Sequence, residues 1–243
     1  MTKQLALVTG GARRLGKAFA LTLARMGYDL ALHYHKSEEA ARQTKVELET
    51  FGAQVHLLQA DLTQPDQIQR LFSDLDFILH SSRETFILLV NSASLMPVGN
   101  PRDLELRDWD SALDLNLRAP FLLTQQAVKR MTGGGLIVNV SDIGAQKAWS
   151  RYPSYTVSKA GLESLTKLLA RSLAPTIRVN AIAPGLVLRS GVVTPEQWDK
   201  LVERLPLKRA ATLDEITSAL EFLIRNKYIT GQTIVVDGGY SLL

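Results

Sequence analysis

The chain has 243 residues, 46% of them hydrophobic and 21% charged, a balance that excludes wholesale disorder and suits one large globular domain. Its 28 Lys and Arg against 24 Asp and Glu leave 28 − 24 = +4, spread along the chain rather than gathered into a nucleic-acid footprint, so a polyanionic small ligand accounts for it. The lack of cysteine excludes disulfides, thiolate metal sites and cysteine nucleophiles, and no metal is expected.

The apolar run in MTKQLALVTGG is too short for a secretory signal core and has no small-residue cleavage pattern. No run approaches the ~18 apolar residues of a membrane span. A cytoplasmic protein without membrane or nucleic-acid partners is expected. Leu5 to Thr9 reads as a buried strand, and Leu15 to Met26 as a helix stopped by Gly27. Tyr28 to Tyr34 is the next strand, Glu38 to Phe51 an amphipathic helix ending at Gly52, and Gln54 to Gln59 a third strand. A polar helix starts near Gln64, and Phe86 to Val90 is the fourth strand. Leu104 to Met131 reads as one long helix bent near Pro120. Leu136 to Val140, Arg178 to Ile182 and Thr233 to Val236 are the remaining strands. Between them lie a helix from Tyr155 to Leu173 and one opened by the capping box Thr212-x-x-Glu215 and running to about Arg225.

Strands apolar on both sides, each followed by a helix, predict an α/β protein: a doubly wound parallel sheet of seven strands with helices on both faces. There is no internal repeat or linker, so residues 1–243 form a single domain. Pro184 to Arg209 is long for a connection and carries one short helical pattern near Pro195 to Leu205. Its length and its place after the sixth strand predict a substrate lid over about 184–210, in which Leu186, Val187, Val192, Val193 and Trp198 are expected to exclude water.

Three groups of residues carry chemistry. The turn Thr9-Gly10-Gly11-Ala12-Arg13-Arg14-Leu15-Gly16 joins the first strand to the first helix, where helix amides meet a pyrophosphate and Gly10 and Gly16 allow close backbone approach. Arg14 stands where a third glycine is usual. A cation at a helix N-terminus is unfavourable alone, so Arg14 is expected to clamp phosphate and to face the substrate. The second strand ends in Tyr34-His35-Lys36-Ser37. NAD sites place an acid ~20 residues after the glycine turn, and 36 − 16 = 20 falls on lysine, so this stretch predicts a 2′-phosphate and NADPH. Third, Tyr155-x-x-x-Lys159 places a phenol and an ammonium on one helix face, where the ammonium is expected to lower the phenol's pKa for proton transfer. Asn116 and Asp142 are expected to join them at the carboxyl edge of the sheet, with Asp142 opposing the ammonium and keeping the phenol protonated for donation.

These pieces, with Asp61 and Leu62, Asn91-Ser92-Ala93, Pro184-Gly185 and Asp237-Gly238-Gly239, resemble the short-chain dehydrogenase/reductases over essentially the whole chain. The resemblance implies a Rossmann-like fold and hydride transfer from a nicotinamide. It places Asp61 near the adenine, Asn91 to Ala93 under the cofactor, and Lys159 on the nicotinamide ribose. Most members have glycine at the position of Arg14 and serine thirteen residues before the tyrosine. Here 155 − 13 = 142 is an aspartate. Arg14, His35-Lys36-Ser37, Asp142 and the ending Tyr228-Ile-Thr-Gly to Gly239-Tyr240-Ser are similar to the pteridine reductases and dihydromonapterin reductases, which reduce pterin or folate C=N bonds.

That resemblance implies Tyr155 as proton donor, with Lys159 and Asp142 in a relay. It implies a substrate held by Arg14, Met96, Asp142, Tyr155 and Leu186, with Met96 where that group has an aromatic platform. It also implies a homotetramer packed through the helices near Leu104 and Tyr155 and through the C-terminal strand region. The alternative enzyme is a carbonyl reductase such as a 3-oxoacyl-thioester ketoreductase, with Ser141 standing in for the missing serine. A cofactor-binding regulatory protein is a third reading, opposed by the intact Asn116, Tyr155 and Lys159.

Overall fold

The computed structural model describes residues 3–82 and 84–243. Seven parallel strands form one sheet in the order β3-β2-β1-β4-β5-β6-β7: β1 (Gln4–Val8), β2 (Asp29–Tyr34), β3 (Val55–Gln59), β4 (Thr85–Asn91), β5 (Gly135–Val140), β6 (Ile177–Pro184) and β7 (Thr233–Val236). Helices α1 (Arg14–Arg25), α2 (Glu38–Glu49) and α3 (Pro65–Ser82) follow the first three strands. The later ones are α4 (Leu106–Leu113), α5 (Ala119–Val128), α6 (Pro153–Leu173), α7 (Pro195–Arg204) and α8 (Leu213–Arg225).

Period-two alternation builds the layers. Leu5 and Leu7 of β1 pack with Phe72 of α3, Leu123 of α5 and Leu169 of α6. Ala6 and Val8 face the other way, onto Phe19 of α1 and Leu220 of α8. Both faces of the sheet are therefore dry, as a parallel sheet requires. α3 is less polar than expected, because it buries Ile68, Leu71, Phe72, Leu75 and Ile78.

The chain order reverses between β1 and β4, and the crevice opens beyond their carboxyl ends. The glycine turn leaves β1 there, and Ser92 to Met96 leave β4. The stretch expected as one helix from Leu104 to Met131 is helical only from Leu106 to Val128, with a π-helical turn at Asp114–Arg118. The irregularity lies just before Pro120, which stands in the first turn of α5. Proline has no N–H for the carbonyl of Asn116 and its ring crowds it, so a wider turn relieves both problems. α7 opens on a capping box, Thr194 with Gln197, and α8 on the expected one, Thr212 with Glu215.

Candidate active site

A cavity of about 1350 Å³ runs along the carboxyl edge, from the glycine turn to α7. Its first wall is the turn after β1. Gly10 has φ 63°, and a Cβ there would stand 3.0 Å from Ala93 Cα. A Cβ on Gly16 would stand 2.2 Å from the Gly10 carbonyl oxygen, so the turn closes only with glycine at both places. Thr9 Oγ1 accepts from the amides of Ser92 and Ala93 at 2.9 and 3.1 Å, which locks this turn to the loop after β4.

Sequence reading passed over a second lock, His33. Its Nδ1 accepts from the Gly10 amide at 3.1 Å, and its Nε2 lies 3.0 Å from the Ala60 carbonyl oxygen. One accepting and one donating nitrogen define a neutral ring, and burial pulls its pKa down to about 4. The signal was a histidine on an otherwise apolar strand.

Tyr34, His35, Lys36, Ser37, Asp61 and Leu62 line this end of the cavity. Asp61 is the carboxylate at this end, its Oδ2 3.9 Å from His35 Nε2, while Glu38 pairs with Arg42 and Glu39 accepts from Gln43 outside the cavity lining. Burial works to raise the Asp61 carboxyl, but the hydroxyl and amide of Thr63 outweigh it and hold it below its ordinary value. Arg13 and Lys36 line the cavity and form no ion pair among the described residues. The first turn of α1 carries no acid. Glycine-limited approach, free helix amides and unpaired cations together fit a dinucleotide carrying an extra phosphate.

Arg14 departs from expectation. Its φ is 52°, in the left-handed region that disfavours side chains. Its guanidinium does not stand free toward a phosphate. Nη2 donates to the Leu188 carbonyl at 2.8 Å and Nη1 to that of Arg189 at 3.2 Å, so it ties the glycine turn to the segment after β6.

The second wall carries the proton chemistry. Asp142 leaves β5 in extended conformation (φ −164°) and caps the following turn, accepting from the Gly144 amide at 2.7 Å. Its other oxygen accepts from the Tyr155 hydroxyl at 2.8 Å. Tyr155 and Lys159 are buried, at 6% and 2% exposure. Burial, and then the charge and hydrogen bond of Asp142, push the phenol well above its ordinary value. Burial also raises the carboxyl of Asp142, against the Gly144 amide and the Tyr155 hydroxyl.

Of the two opposing influences expected on the phenol, Lys159 and Asp142, it is Asp142 that bonds the hydroxyl. Lys159 Nζ donates to the Val140 carbonyl at 2.7 Å and stands 5.6 Å from the Tyr155 ring centroid. Burial brings its own pKa down to about 8. Asp142 therefore governs the phenol, which stays protonated. Ser141 is not a stand-in for serine, because its hydroxyl donates to Glu163 Oε1 at 3.0 Å.

Two expected residues lie off the cavity. Asn116, 1% exposed, sits in the π turn and uses its whole amide. Its Oδ1 accepts from Ser94 Oγ and the Leu95 amide, and its Nδ2 donates to the Leu95 carbonyl and Ser158 Oγ. Its side chain holds the Ser94 to Met96 wall against α6. Asn91 ends β4; its Nδ2 donates to Asn139 Oδ1 at 2.8 Å and its Oδ1 is buried without a partner among the described residues. Ser92 and Ala93 do line the cavity. Pro184, Gly185, Leu186 and Met96 line it as expected.

Of the aromatic lining, Trp198 was expected in the lid and Trp149 and Tyr152 were missed. Trp149 stands 6.3 Å from Tyr152 and 6.2 Å from Tyr240, centroid to centroid, and all three line the cavity with Trp198. A Cβ on Gly144 would stand 2.8 Å from the Trp149 ring, so that glycine lets the indole close on the Asp142 loop. Two aromatics three residues apart, just before Tyr155, were the available signal.

Comparison with known proteins places this geometry. Residues 10–241 match the family model described as Enoyl-(Acyl carrier protein) reductase. The 3-oxoacyl-[acyl-carrier-protein] reductase FabG of Staphylococcus epidermidis is 32% identical over 241 residues, covering 96% of this chain and 97% of that protein. The crystal structure of FolM alternative dihydrofolate reductase 1 from Brucella canis, complexed with NADP, is 36% identical with a TM-score of 0.92, over 99% of this chain and 94% of that one. A Serratia marcescens short-chain dehydrogenase/reductase mutant is 29% identical with a TM-score of 0.91, over 99% and 98% of the two chains.

Proposed function

We propose that this chain, which belongs to the short-chain dehydrogenase/reductase family, is an oxidoreductase that uses NADPH to reduce a C=N bond of a pterin or dihydrofolate-type ring. The observation that carries this reading is the carboxylate of Asp142 on the hydroxyl of Tyr155. A ketone reductase needs a neutral donor there to meet a developing alkoxide, and a carboxylate repels that charge. A ring bearing N–H groups gives the same carboxylate hydrogen bonds to accept.

NADPH suits the cation-rich end of the cavity, and the NADP-bound FolM relative supports the assignment. The chemistry it contributes when bound is a hydride for an electrophilic carbon. His33 and Thr9 keep the glycine turn rigid, while His35, Lys36 and Ser37 supply the charge and donors for a 2′-phosphate. Lys159 presents an ammonium held by Val140.

Tyr155 delivers a proton to the substrate nitrogen as the hydride arrives at carbon. Asp142 keeps that proton on the phenol until transfer and accepts a ring N–H from the substrate. The planar ring lies between Met96 and the aromatic side chains of Trp149, Tyr152 and Tyr240, which supply the platform that Met96 alone does not. Residues 184–210 form the lid, with Leu186, Leu188, Val193 and Trp198 excluding water. Val192 is exposed and takes no part. Assembly as a homotetramer is supported by the exposed Leu106, Phe121, Val157 and Leu168 on α4, α5 and α6.

The FabG relative favours a second reading, a 3-oxoacyl-thioester ketoreductase. One assay separates them: NADPH oxidation with dihydrobiopterin, dihydrofolate and acetoacetyl-CoA side by side. Turnover of the ring substrates upholds the proposal. Turnover of the thioester alone replaces it with the second reading.

A further inference from the structure

We propose that the substrate carries an anionic tail, and that Lys200 and Arg204 of α7, together with Arg151, form the site that binds it. The inference rests on the ring reading above and extends it to the part of the substrate that does not react.

α7 separates its charges by face. Gln197, Lys200, Leu201 and Arg204 line the cavity, at the three- and four-residue spacing of one helix face. Glu196, Asp199 and Glu203 do not line it. Glu196 precedes Lys200 by four residues, the favourable order for an ion pair along a helix. The protein makes such pairs elsewhere, Glu38 with Arg42, Asp66 with Arg70 and Glu221 with Arg225. Among the described residues it makes none with Lys200, Arg204 or Arg151.

The cavity does not neutralise these cations. Among the described residues two side-chain carboxylates line it, Asp61 and Asp142. Asp61 holds Thr63 near the glycine turn, and Asp142 is engaged by Tyr155 and Gly144. Field lines from unpaired charges are focused by a cleft with low-dielectric walls, so the site selects anionic substrates and speeds their arrival.

The shared chemistry is an anion on a flexible arm, and carboxylate and phosphate are its two sources. Dihydrofolate carries glutamyl carboxylates, acetoacetyl-CoA carries phosphates, and dihydrobiopterin has the pterin ring with an uncharged side chain. The test measures KM and kcat for all three at saturating NADPH, in wild type, Lys200→Gln, Arg204→Gln, the double variant, and Glu203→Gln on the outer face. KM for dihydrofolate should rise about two- to fivefold per cation and about tenfold in the double variant. Its kcat, and both constants for dihydrobiopterin, should stay unchanged, as should every constant in Glu203→Gln. Raising salt from about 0.05 to about 0.5 M should weaken dihydrofolate and spare dihydrobiopterin.

Equal effects on the two pterins, or no effect on either, overturn the tail site and leave the ring reading standing. If only acetoacetyl-CoA turns over, the ring reading fails. The same variants then decide the tail on that substrate, a KM rise upholding it with phosphate as the source and an unchanged KM overturning it. Calorimetric titration of folate into the NADP⁺-loaded protein gives the same comparison without turnover. Affinity lost in the double variant upholds the site, and equal affinity overturns it.

Discussion

Tyr155 donates its phenolic hydrogen to Asp142 Oδ2 at 2.8 Å, from α6 to the turn after β5. The bond sets a division of labour. Asp142 holds the proton on the phenol, and Lys159, fixed on Val140, supplies charge to the site without drawing that proton away.

Cofactor choice follows from the β2 end of the cavity. Lys36 and Ser37 stand where an acid would repel a 2′-phosphate, and Glu38 and Glu39 are engaged by Arg42 and Gln43. A charge-assisted hydrogen bond contributes ~1.5–3 kcal/mol, so kcat/KM should favour NADPH over NADH by about tenfold or more. Lys36→Glu should bring the two cofactors to parity or reverse them. Equal use by the wild-type protein would remove the assignment of this pocket.

Arg14 links two elements far apart in sequence. With φ 52° and its guanidinium on the Leu188 and Arg189 carbonyls, Arg14→Gly relieves backbone strain of about 1 kcal/mol and frees the lid. Stability should hold or rise slightly. Hydrogen exchange across residues 186–193 should quicken, and KM for pterins should rise. Unchanged exchange would mean that these bonds do not hold the lid.

Lys159 ties activity to a stability cost. Its pKa is about 8 in the fold against an ordinary 10.5, so the buried ammonium costs about 3 kcal/mol at neutral pH. Between about pH 8 and 10 the unfolded chain binds the proton that the fold has released, so this group's penalty fades as pH rises. Thermal melts of the cofactor-free protein should show Lys159→Met more stable at pH 7, with the gap narrowing toward pH 9.5, and the variant inactive. A gap independent of pH would contradict the assignment.

Asn116 should behave as a wall support. Asn116→Ala leaves the Leu95 amide and carbonyl without their partner, which destabilises by about 2 kcal/mol. Because it shifts Ser94 to Met96 and not the proton pair, KM for the ring substrate should rise more than kcat falls. A fall in kcat alone would return Asn116 to the proton path.

The sheet was legible because the strands are short, mostly apolar runs and several helices announce a terminus, as at Gly27, Gly52 and the Thr212 capping box. Gly10, Tyr155 and Lys159 were legible because their chemistry depends on short spacings. The rest depends on contacts far apart in the chain. No spacing rule links Arg14 to Leu188, Lys147 to Tyr240, whose carbonyl it holds at 3.1 Å, or His33 to Ala60. The π turn at Asn116 keeps the helical hydrophobic pattern, so periodicity alone does not reveal it. The bond of Lys159 to the Val140 carbonyl was not legible, because a four-residue spacing puts two side chains on one face without saying which neighbour each will bond.

The central claim is that Asp142 selects a ring C=N bond over a ketone, and Asp142→Ser tests it most directly. The measurement is the ratio of kcat/KM for dihydrobiopterin to that for acetoacetyl-CoA, in wild type and variant, with NADPH affinity as a control. Acid–base groups contribute ~10²–10⁴-fold, so pterin turnover should fall by about that range while ketone turnover holds or rises and NADPH affinity stays the same. A serine variant that keeps full pterin activity would make Asp142 a cap for Gly144 and nothing more, and would contradict the account.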